Sequence, residues 1–155
     1  MNTRQIARAA ELDSLPVFRS FIDEACRDLP GMGEKDLYDL KLAVDEACTN
    51  IITHGYAGMD PGTILLCVEP GLGQVKITIT DFGHCFEPAD APAPDVEAAL
   101  DDRPTGGFGL FIIYQTMDEV DYAADPCGNR LTLVKHLQRG EKSGPEAGTR
   151  SLNRR

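Results

Sequence analysis

A carboxylate and a carboxamide stand four residues apart in a segment of helical periodicity, as Glu46 and Asn50. At that spacing both side chains leave the same helix face one turn apart, with Leu42 and Thr53 flanking them. An amide oxygen can coordinate a hard cation such as Mg²⁺, and a carboxylate can accept a proton from a hydroxyl group or water. A solvated helix face is the alternative interpretation of this pair taken alone.

A second carboxylate, Asp81, ends an alternating segment and is followed by Phe82 and Gly83. At the end of a strand it can accept a hydrogen bond from an exocyclic amine. The glycine would let a flat ring approach the backbone. Asp-x-Gly is also common in ordinary turns, which remains the alternative.

Three glycines within four residues, Gly106, Gly107 and Gly109, lead from an irregular stretch into a helical pattern. Backbone N–H groups at a helix N-terminus favour an anion such as phosphate, although a structural hinge explains the same composition. The stretch lacks the Lys-Ser/Thr pair of a P-loop, and it does not follow a first strand as a dinucleotide fingerprint does. Neither of those two motifs is therefore present.

The elements that position these residues follow from hydrophobic periodicity. Helices are predicted at 14–29, 34–54 and 109–117. Strands are predicted near 6–10 and at 63–69, 74–81, 119–124 and 130–137. This order predicts an α+β fold, a two-layer sandwich of helices on a mixed, mostly antiparallel sheet. Residues 84–106 carry four prolines and no periodicity, which is typical of a functional or mobile loop.

The chain carries a formal net charge of −10, and the charge is unevenly distributed. Residues 139–155 hold five Lys or Arg and two Glu, which leaves −13 on residues 1–138. Such a body repels phosphate backbones, so we expect no direct nucleic-acid partner. There is no apolar run of signal-peptide or membrane-spanning length, so we expect a cytoplasmic protein without membrane contact. The five cysteines show neither disulfide nor zinc spacing.

The order of the three motifs resembles the Bergerat-type ATP-binding fold shared by gyrase, the Hsp90 chaperone, histidine kinases and MutL. Within that superfamily, Glu46-Ala-Cys-Thr-Asn50-Ile-Ile-Thr-His54-Gly-Tyr56 resembles the N-box of anti-sigma-factor serine kinases. Gly106-Gly-Phe-Gly-Leu-Phe-Ile-Ile113 and Met117-Asp-Glu-Val-Asp-Tyr122 are similar to their second glycine box and the strand after it. The resemblance covers residues 12–137.

The resemblance implies a role for each motif. Glu46 would be the general base on a substrate serine and Asn50 the Mg²⁺ ligand, while residues 84–106 would form the lid over ATP. The other nucleotide-binding positions would be Asp81 at the adenine amine, Gly83 beneath the ring, Gly106, Gly107 and Gly109 at the phosphates, and Asn129. We expect residues 1–138 to form one histidine-kinase-like ATP-binding domain and residues 139–155 to be a disordered tail.

The resemblance also implies the partners. Members of the family transfer the γ-phosphoryl group of ATP to a serine of a STAS-type anti-sigma antagonist. In its unphosphorylated state the antagonist competes with a sigma factor, or another regulator, for the kinase. Family members commonly pair, which implies a homodimer.

Three positions depart from the family pattern. Cys85 replaces the second glycine of the Asp-x-Gly-x-Gly box, and Phe108 stands where a polar or basic residue is frequent. Asn129 follows Gly128 where a threonine near the adenine is common, although an amide can also donate and accept hydrogen bonds. An ATP-responsive binding module with little kinase activity is therefore the alternative function. A shortened histidine-kinase catalytic domain is a third possible function, and the Glu-Ala-Cys-Thr-Asn sequence argues against it.

Overall fold

The computed structural model describes residues 2–85 and 107–138, in which three helices lie on a five-stranded sheet. The helices are α1 (Leu15–Cys26), α2 (Glu34–Asn50) and α3 (Gly107–Thr116). The strands are β1 (Arg4–Ala9), β2 (Thr63–Gly71), β3 (Gln74–Asp81), β4 (Glu119–Asp125) and β5 (Gly128–His136). No helix in these two ranges is long and apolar enough to cross a membrane.

The sheet has the strand order β1-β2-β3-β5-β4, and all four pairings in the described ranges are antiparallel. This confirms the predicted α+β fold with a mostly antiparallel sheet, and the first strand lies at one edge of that sheet. The helix predicted over 34–54 ends as an α-helix at Asn50 and continues as a π-helical turn over Ile51–Gly55. Such turns occur mostly inside or at the end of α-helices, often beside functional sites.

The inward face of β3 is apolar except at its last residue, Asp81. In β3 the alternating residues Val75, Ile77 and Ile79 are fully buried, and the next inward residue is Asp81. Because side chains alternate along a strand, Asp81 must point the same way as these core residues. The apolar faces of α1 and α2 pack on this layer and contribute core side chains that include Phe18, Phe21, Ile22, Leu37, Leu40, Ala43, Val44 and Ala47.

A buried ion pair fixes α2 against the far end of the sheet. Asp39 of α2 is only 5% exposed, and its carboxylate lies 3.6 Å from Nζ of Lys135 on β5. The same ammonium group donates to the Thr116 carbonyl at 2.7 Å, at the end of α3. One cation therefore ties α2, α3 and β5 together, which holds the two helices in place relative to the sheet.

The tyrosine that follows the π-helical turn joins three segments of the chain. Tyr56 is buried, and its hydroxyl donates to the Thr63 carbonyl at 2.9 Å. The same oxygen accepts the Phe82 N–H at 2.9 Å. The end of α2, the start of β2 and the end of β3 therefore meet at one phenol group.

We expect Tyr56→Phe to lower the free energy of unfolding by about 1–3 kcal/mol, because it leaves two backbone groups without a partner. The matched control is Tyr38→Phe, since Tyr38 is 62% exposed and should change stability by no more than about 0.5 kcal/mol. Urea unfolding monitored by circular dichroism measures both variants. Equal stability of the two variants would contradict the role assigned to the Tyr56 hydroxyl.

Candidate functional site

Glu46 and Asn50 lie on the exposed side of α2, one turn apart, as their spacing predicted. Both side chains are half-buried, as is Leu42, and Thr53 is exposed. The apolar row of the helix is rotated away and fully buried against the sheet. The face therefore offers a carboxylate and an amide that are partly shielded from water and still open to a ligand.

The surroundings of Glu46 favour its protonated form. Burial raises the pKa of the Glu46 carboxyl above its ordinary value, and the neighbouring Asp45 carboxylate raises it further. The Asp45 carboxylate accepts a hydrogen bond from Nε of Arg19 on α1 at 2.9 Å. A carboxylate with a raised pKa is a better proton acceptor near neutral pH than an ordinary glutamate.

The raised pKa of Glu46 predicts that Glu46→Gln stabilises the fold at neutral pH. Ionised Glu46 disfavours the folded state above its folded pKa, and this penalty vanishes once the pH falls below the ordinary value of 4.5. Thermal melts of the variant and the natural protein at pH 7 and pH 4 measure the difference. We expect a higher Tm for the variant at pH 7 and convergence at pH 4, and an advantage that grows on acidification would contradict this electrostatic origin.

Asp81 is 6% exposed at the end of β3, and within residues 2–85 and 107–138 the protein donates hydrogen bonds to one of its two carboxylate oxygens. Oδ1 accepts the Gly83 N–H at 2.9 Å and Nδ2 of Asn129 at 3.0 Å. Within residues 2–85 and 107–138 no donor reaches Oδ2. A buried acceptor normally has a partner, so this oxygen is suited to a donor from a ligand or a water molecule.

Asn129 stands directly opposite Asp81, on β5. Its side chain is 4% exposed, and Nδ2 also reaches the carbonyls of Gly83 at 3.0 Å and His84 at 3.4 Å. The amide therefore joins the Asp81 carboxylate to the backbone that leaves the strand. This places Asn129 beside Asp81.

Gly83 is required by a contact within the protein. A Cβ at this position would lie 2.2 Å from the Gly55 carbonyl oxygen and 3.2 Å from the Tyr56 ring. The next residue, His84, donates its N–H to the same Gly55 carbonyl at 2.6 Å, and its ring Nε2 is 3.0 Å from the Ala57 carbonyl. The glycine thus allows the end of β3 to pack against the chain that follows α2. This packing requires a glycine at position 83 independently of the expected approach of a ligand ring to the backbone.

The same packing brings the candidate residues of α2 and β3 to one end of the molecule. A Cβ at Gly55 would lie 3.7 Å from Oδ1 of Asp81, and Gly55 ends the π-helical turn that begins directly after Asn50. Gly107 is the first residue of α3 and Gly109 lies in its first turn, and α3 packs against α2. Gly106 and most of the 84–106 loop lie outside the described residues, as does the 139–155 tail.

Comparison with known proteins assigns the family. A family model described as a histidine kinase-like ATPase domain matches residues 8–135. The chain belongs to this family. The matched range contains Glu46, Asn50, Asp81 and Asn129, so the candidate site lies within the ATPase domain.

Curated relatives of this histidine kinase-like ATPase are protein kinases. The serine/threonine-protein kinase BtrW of Bordetella bronchiseptica is 32% identical over 99 residues, which cover 64% of this chain and 70% of BtrW. The serine-protein kinase RsbW of Halalkalibacterium halodurans is 36% identical over 115 residues, which cover 68% of this chain and 66% of that protein. The chain is thus a member of the serine-protein kinase branch and spans about two thirds of the length of these relatives.

Solved structures of two other proteins show the same fold. A chain with the RsbU and RsbW domains of a Mycobacterium tuberculosis protein gives a TM-score of 0.64 at 20% identity, over 88% of this chain and 33% of that one. The histidine kinase domain of a blue-light activated histidine kinase from Erythrobacter litoralis gives a TM-score of 0.52 at 17% identity, over 83% of this chain and 61% of that chain. At these identities the likeness establishes the fold alone.

The metal-ligating side chains in the described residues fit a cation that is held mainly by the phosphates of a nucleotide better than a cation held by the protein alone. The described residues contain no group of three or more His, Cys, Asp or Glu side chains that could hold a metal ion. Mg²⁺ is commonly held by one or two protein oxygens together with substrate phosphates and water. The single amide of Asn50 fits that pattern.

Sequence reasoning missed the residues that hold the end of β3 against the chain that follows α2, next to the candidate site. Tyr56, Gly55 and His84 hold the end of β3 on the end of α2 through the contacts given above. The Gly-Tyr pair directly after the predicted helix was a signal that a buried aromatic residue follows the helix stop. Nothing in the local sequence identified Phe82, 26 residues further on, as the residue whose N–H the tyrosine hydroxyl would accept.

Proposed function

We propose that the chain is an ATP-dependent serine kinase that acts as an anti-sigma factor and phosphorylates a STAS-domain anti-sigma antagonist. The observation that carries this proposal is Glu46, a half-buried carboxylate with a raised pKa on the same helix face as Asn50. The names of the curated relatives support it, since they are serine-protein kinases. The antagonist, and the sigma factor or other regulator held by the kinase, come from the family resemblance.

The ATP site is proposed at the end of β3. The free oxygen of Asp81 would accept a hydrogen bond from the adenine amine, with Asn129 beside it and the Gly83 backbone forming the adjoining wall. The backbone N–H groups of Gly107 and Gly109, at the start of α3, would bind the phosphates because a helix N-terminus favours negative charge, together with that of Gly106, which precedes them in the sequence. These local dipoles must act against the acidic body of the protein.

Glu46 is proposed as the general base of the transfer. Its carboxylate would take the proton from the serine hydroxyl as the serine oxygen forms a bond to the γ-phosphorus. The bond between that phosphorus and the bridging β–γ oxygen breaks, so ADP leaves with the electron pair. Mg²⁺ held by Asn50 would supply charge neutralisation for the phosphates, and positioning accounts for most of the remaining rate increase.

A direct experiment is phosphotransfer from γ-labelled ATP to a STAS-domain antagonist encoded in the same genome. Label on a serine of the antagonist, dependent on Mg²⁺, is the expected result. The control is the antagonist with that serine changed to alanine, which should remain unlabelled. Absence of transfer to every such antagonist, with ATP binding intact, would overturn the kinase proposal.

One observation favours a second candidate function, an ATP-responsive binding module with little kinase activity. Cys85 stands exposed, two residues after Gly83, in place of the glycine that is usual there. A side chain at this position can restrict the start of the 84–106 loop. In that case ATP would change the affinity for a sigma factor without label transfer, and the same experiment separates the two functions.

Residues 1–138 would be the ATP-binding domain and residues 139–155 a tail without a folded structure. The protein would work in the cytoplasm, and it would pair into a homodimer. Light scattering on the purified full chain tests the last of these.

A further inference from the structure

We propose that the Tyr56 hydroxyl is a positioning group for the base site, because it fixes the backbone after β3 from which the Asp81 carboxylate is held. The inference rests on the proposed function, since it requires Asp81 to be the carboxylate that binds the exocyclic amine. It gives a part in base recognition to a buried residue whose hydroxyl is already bound to two backbone groups of the protein.

Three consecutive backbone N–H groups follow the end of β3, those of Phe82, Gly83 and His84. The outer two donate to the segment that follows α2. The Phe82 N–H donates to the Tyr56 hydroxyl at 2.9 Å, and the His84 N–H donates to the Gly55 carbonyl at 2.6 Å. The segment after α2 therefore determines the path of the chain on both sides of Gly83.

The middle N–H group, that of Gly83, holds the Asp81 carboxylate. It donates to Oδ1 at 2.9 Å, and Nδ2 of Asn129 donates to the same oxygen at 3.0 Å. No donor within residues 2–85 and 107–138 reaches Oδ2, although Asp81 is 6% exposed. Because Oδ1 is held from two sides, the direction of Oδ2 depends on the position of the Gly83 N–H, and this position depends on the hydrogen bond to Tyr56.

The Tyr56 hydroxyl can be removed while the ring stays. The ring packs closely on two glycines, since a Cβ at Gly62 would lie 2.6 Å from it and a Cβ at Gly83 3.2 Å. Tyr56→Phe keeps this packing and takes away the acceptor of the Phe82 N–H. A partly buried N–H without a partner is costly, so the backbone should shift toward another acceptor or water. The shift would move the neighbouring Gly83 N–H and turn the Asp81 carboxylate.

The test compares ATP with purine riboside triphosphate, which lacks only the 6-amino group. Calorimetry on the full chain in Mg²⁺ measures both dissociation constants, and their ratio reports the hydrogen bond of the amine. We expect the natural protein to prefer ATP by roughly tenfold or more, as for one hydrogen bond to a buried charged acceptor. In Tyr56→Phe this preference should fall by roughly threefold or more, because a displaced Asp81 makes a poorer hydrogen bond.

The ratio separates a positioning role from a loss of stability. If Tyr56 only stabilises the fold, Tyr56→Phe weakens both nucleotides alike and keeps the natural ratio, which overturns the inference. Lys135→Met is the control for stability, because it removes the ammonium group that donates to the Thr116 carbonyl at 2.7 Å. Lys135 lies six residues along β5 from Asn129, the partner of Asp81 in the sheet. Lys135→Met should lower the Tm and keep the ratio, and an equal fall of its ratio would contradict the role of Tyr56.

A measurement on the natural protein decides the question if Tyr56→Phe does not fold. Amide hydrogen exchange by NMR, with each nucleotide at saturation, reports the hydrogen bonds of the Phe82 and Gly83 N–H groups. We expect ATP to slow their exchange by roughly threefold or more relative to purine riboside triphosphate, because the amine bond to Asp81 steadies the same chain of hydrogen bonds. Equal exchange with the two nucleotides would overturn the inference.

Two outcomes with the natural protein separate this inference from the proposed function. Equal affinity for ATP and purine riboside triphosphate would overturn the role of Asp81 in binding the amine, and the positioning role of Tyr56 with it, while nucleotide binding stands. Absence of binding to either nucleotide would overturn the proposed function as well.

Discussion

Glu46→Gln is expected to keep most of its affinity for Mg²⁺-ATP and to lose about 10²–10⁴-fold of the phosphotransfer rate. Glutamine preserves the shape of the side chain and its place on α2 but cannot accept a proton. General-base catalysis contributes a factor of this size in other enzymes, which sets the expected loss. Single-turnover transfer to the antagonist, together with calorimetric titration of ATP, measures both quantities.

The control for this change is Glu24→Gln, the same substitution on α1 at an exposed side chain. It should alter neither affinity nor rate. A Glu46→Gln variant that transfers phosphate at the natural rate would exclude Glu46 as the base. A variant that loses ATP binding as well would place Glu46 in nucleotide binding instead.

Gly83→Ala is expected to lower ATP affinity at least tenfold and to destabilise the fold by about 1–3 kcal/mol or more. The new methyl group would lie 2.2 Å from the carbonyl oxygen of Gly55, and both groups belong to the backbone. The strand end must therefore move, and it takes with it the N–H that Asp81 Oδ1 accepts. Calorimetry with ATP and urea unfolding measure the two effects.

Gly71→Ala is the matched control, because a Cβ there meets only ordinary contacts of 3.6 Å and 3.9 Å with Gln74. Gly71 is the last residue of β2, and the start of β2 is the end that pairs with Asp81. The substitution should therefore change ATP affinity little. Natural ATP affinity in Gly83→Ala would show that the contact between Gly83 and Gly55 does not position Asp81.

The fold was largely predictable because its signals are local. The clean alternation of residues 74–81 predicted a strand that ends at Asp81, and the structure shows that Asp81 continues the inward row of Val75, Ile77 and Ile79. The spacing of Glu46 and Asn50 likewise placed both side chains on one face of α2. Periods of two and 3.6 residues carry this information without any knowledge of distant contacts.

The rest of the site depends on pairings between distant segments, which a single sequence does not contain. Asn129 meets Asp81 only because β3 and β5 pair in one particular register. The reason for Gly83 lies 28 residues away, at Gly55, and the hydrogen bonds of Tyr56 depend on where β2 and β3 begin and end. The roles of Asp81, Gly83 and Asn129 were assigned from the order of three motifs and from family resemblance, whereas Gly55 and Tyr56 received no role from the sequence.

The most direct test of the ATP site is a crystal structure of the full chain with Mg²⁺ and a non-hydrolysable ATP analogue. The structure is expected to show the adenine amine at Oδ2 of Asp81, Mg²⁺ at the Asn50 amide oxygen, and the γ-phosphate on the side of α2 that carries Glu46. An analogue bound elsewhere on the sheet, or with its base away from Asp81, would contradict the proposed site.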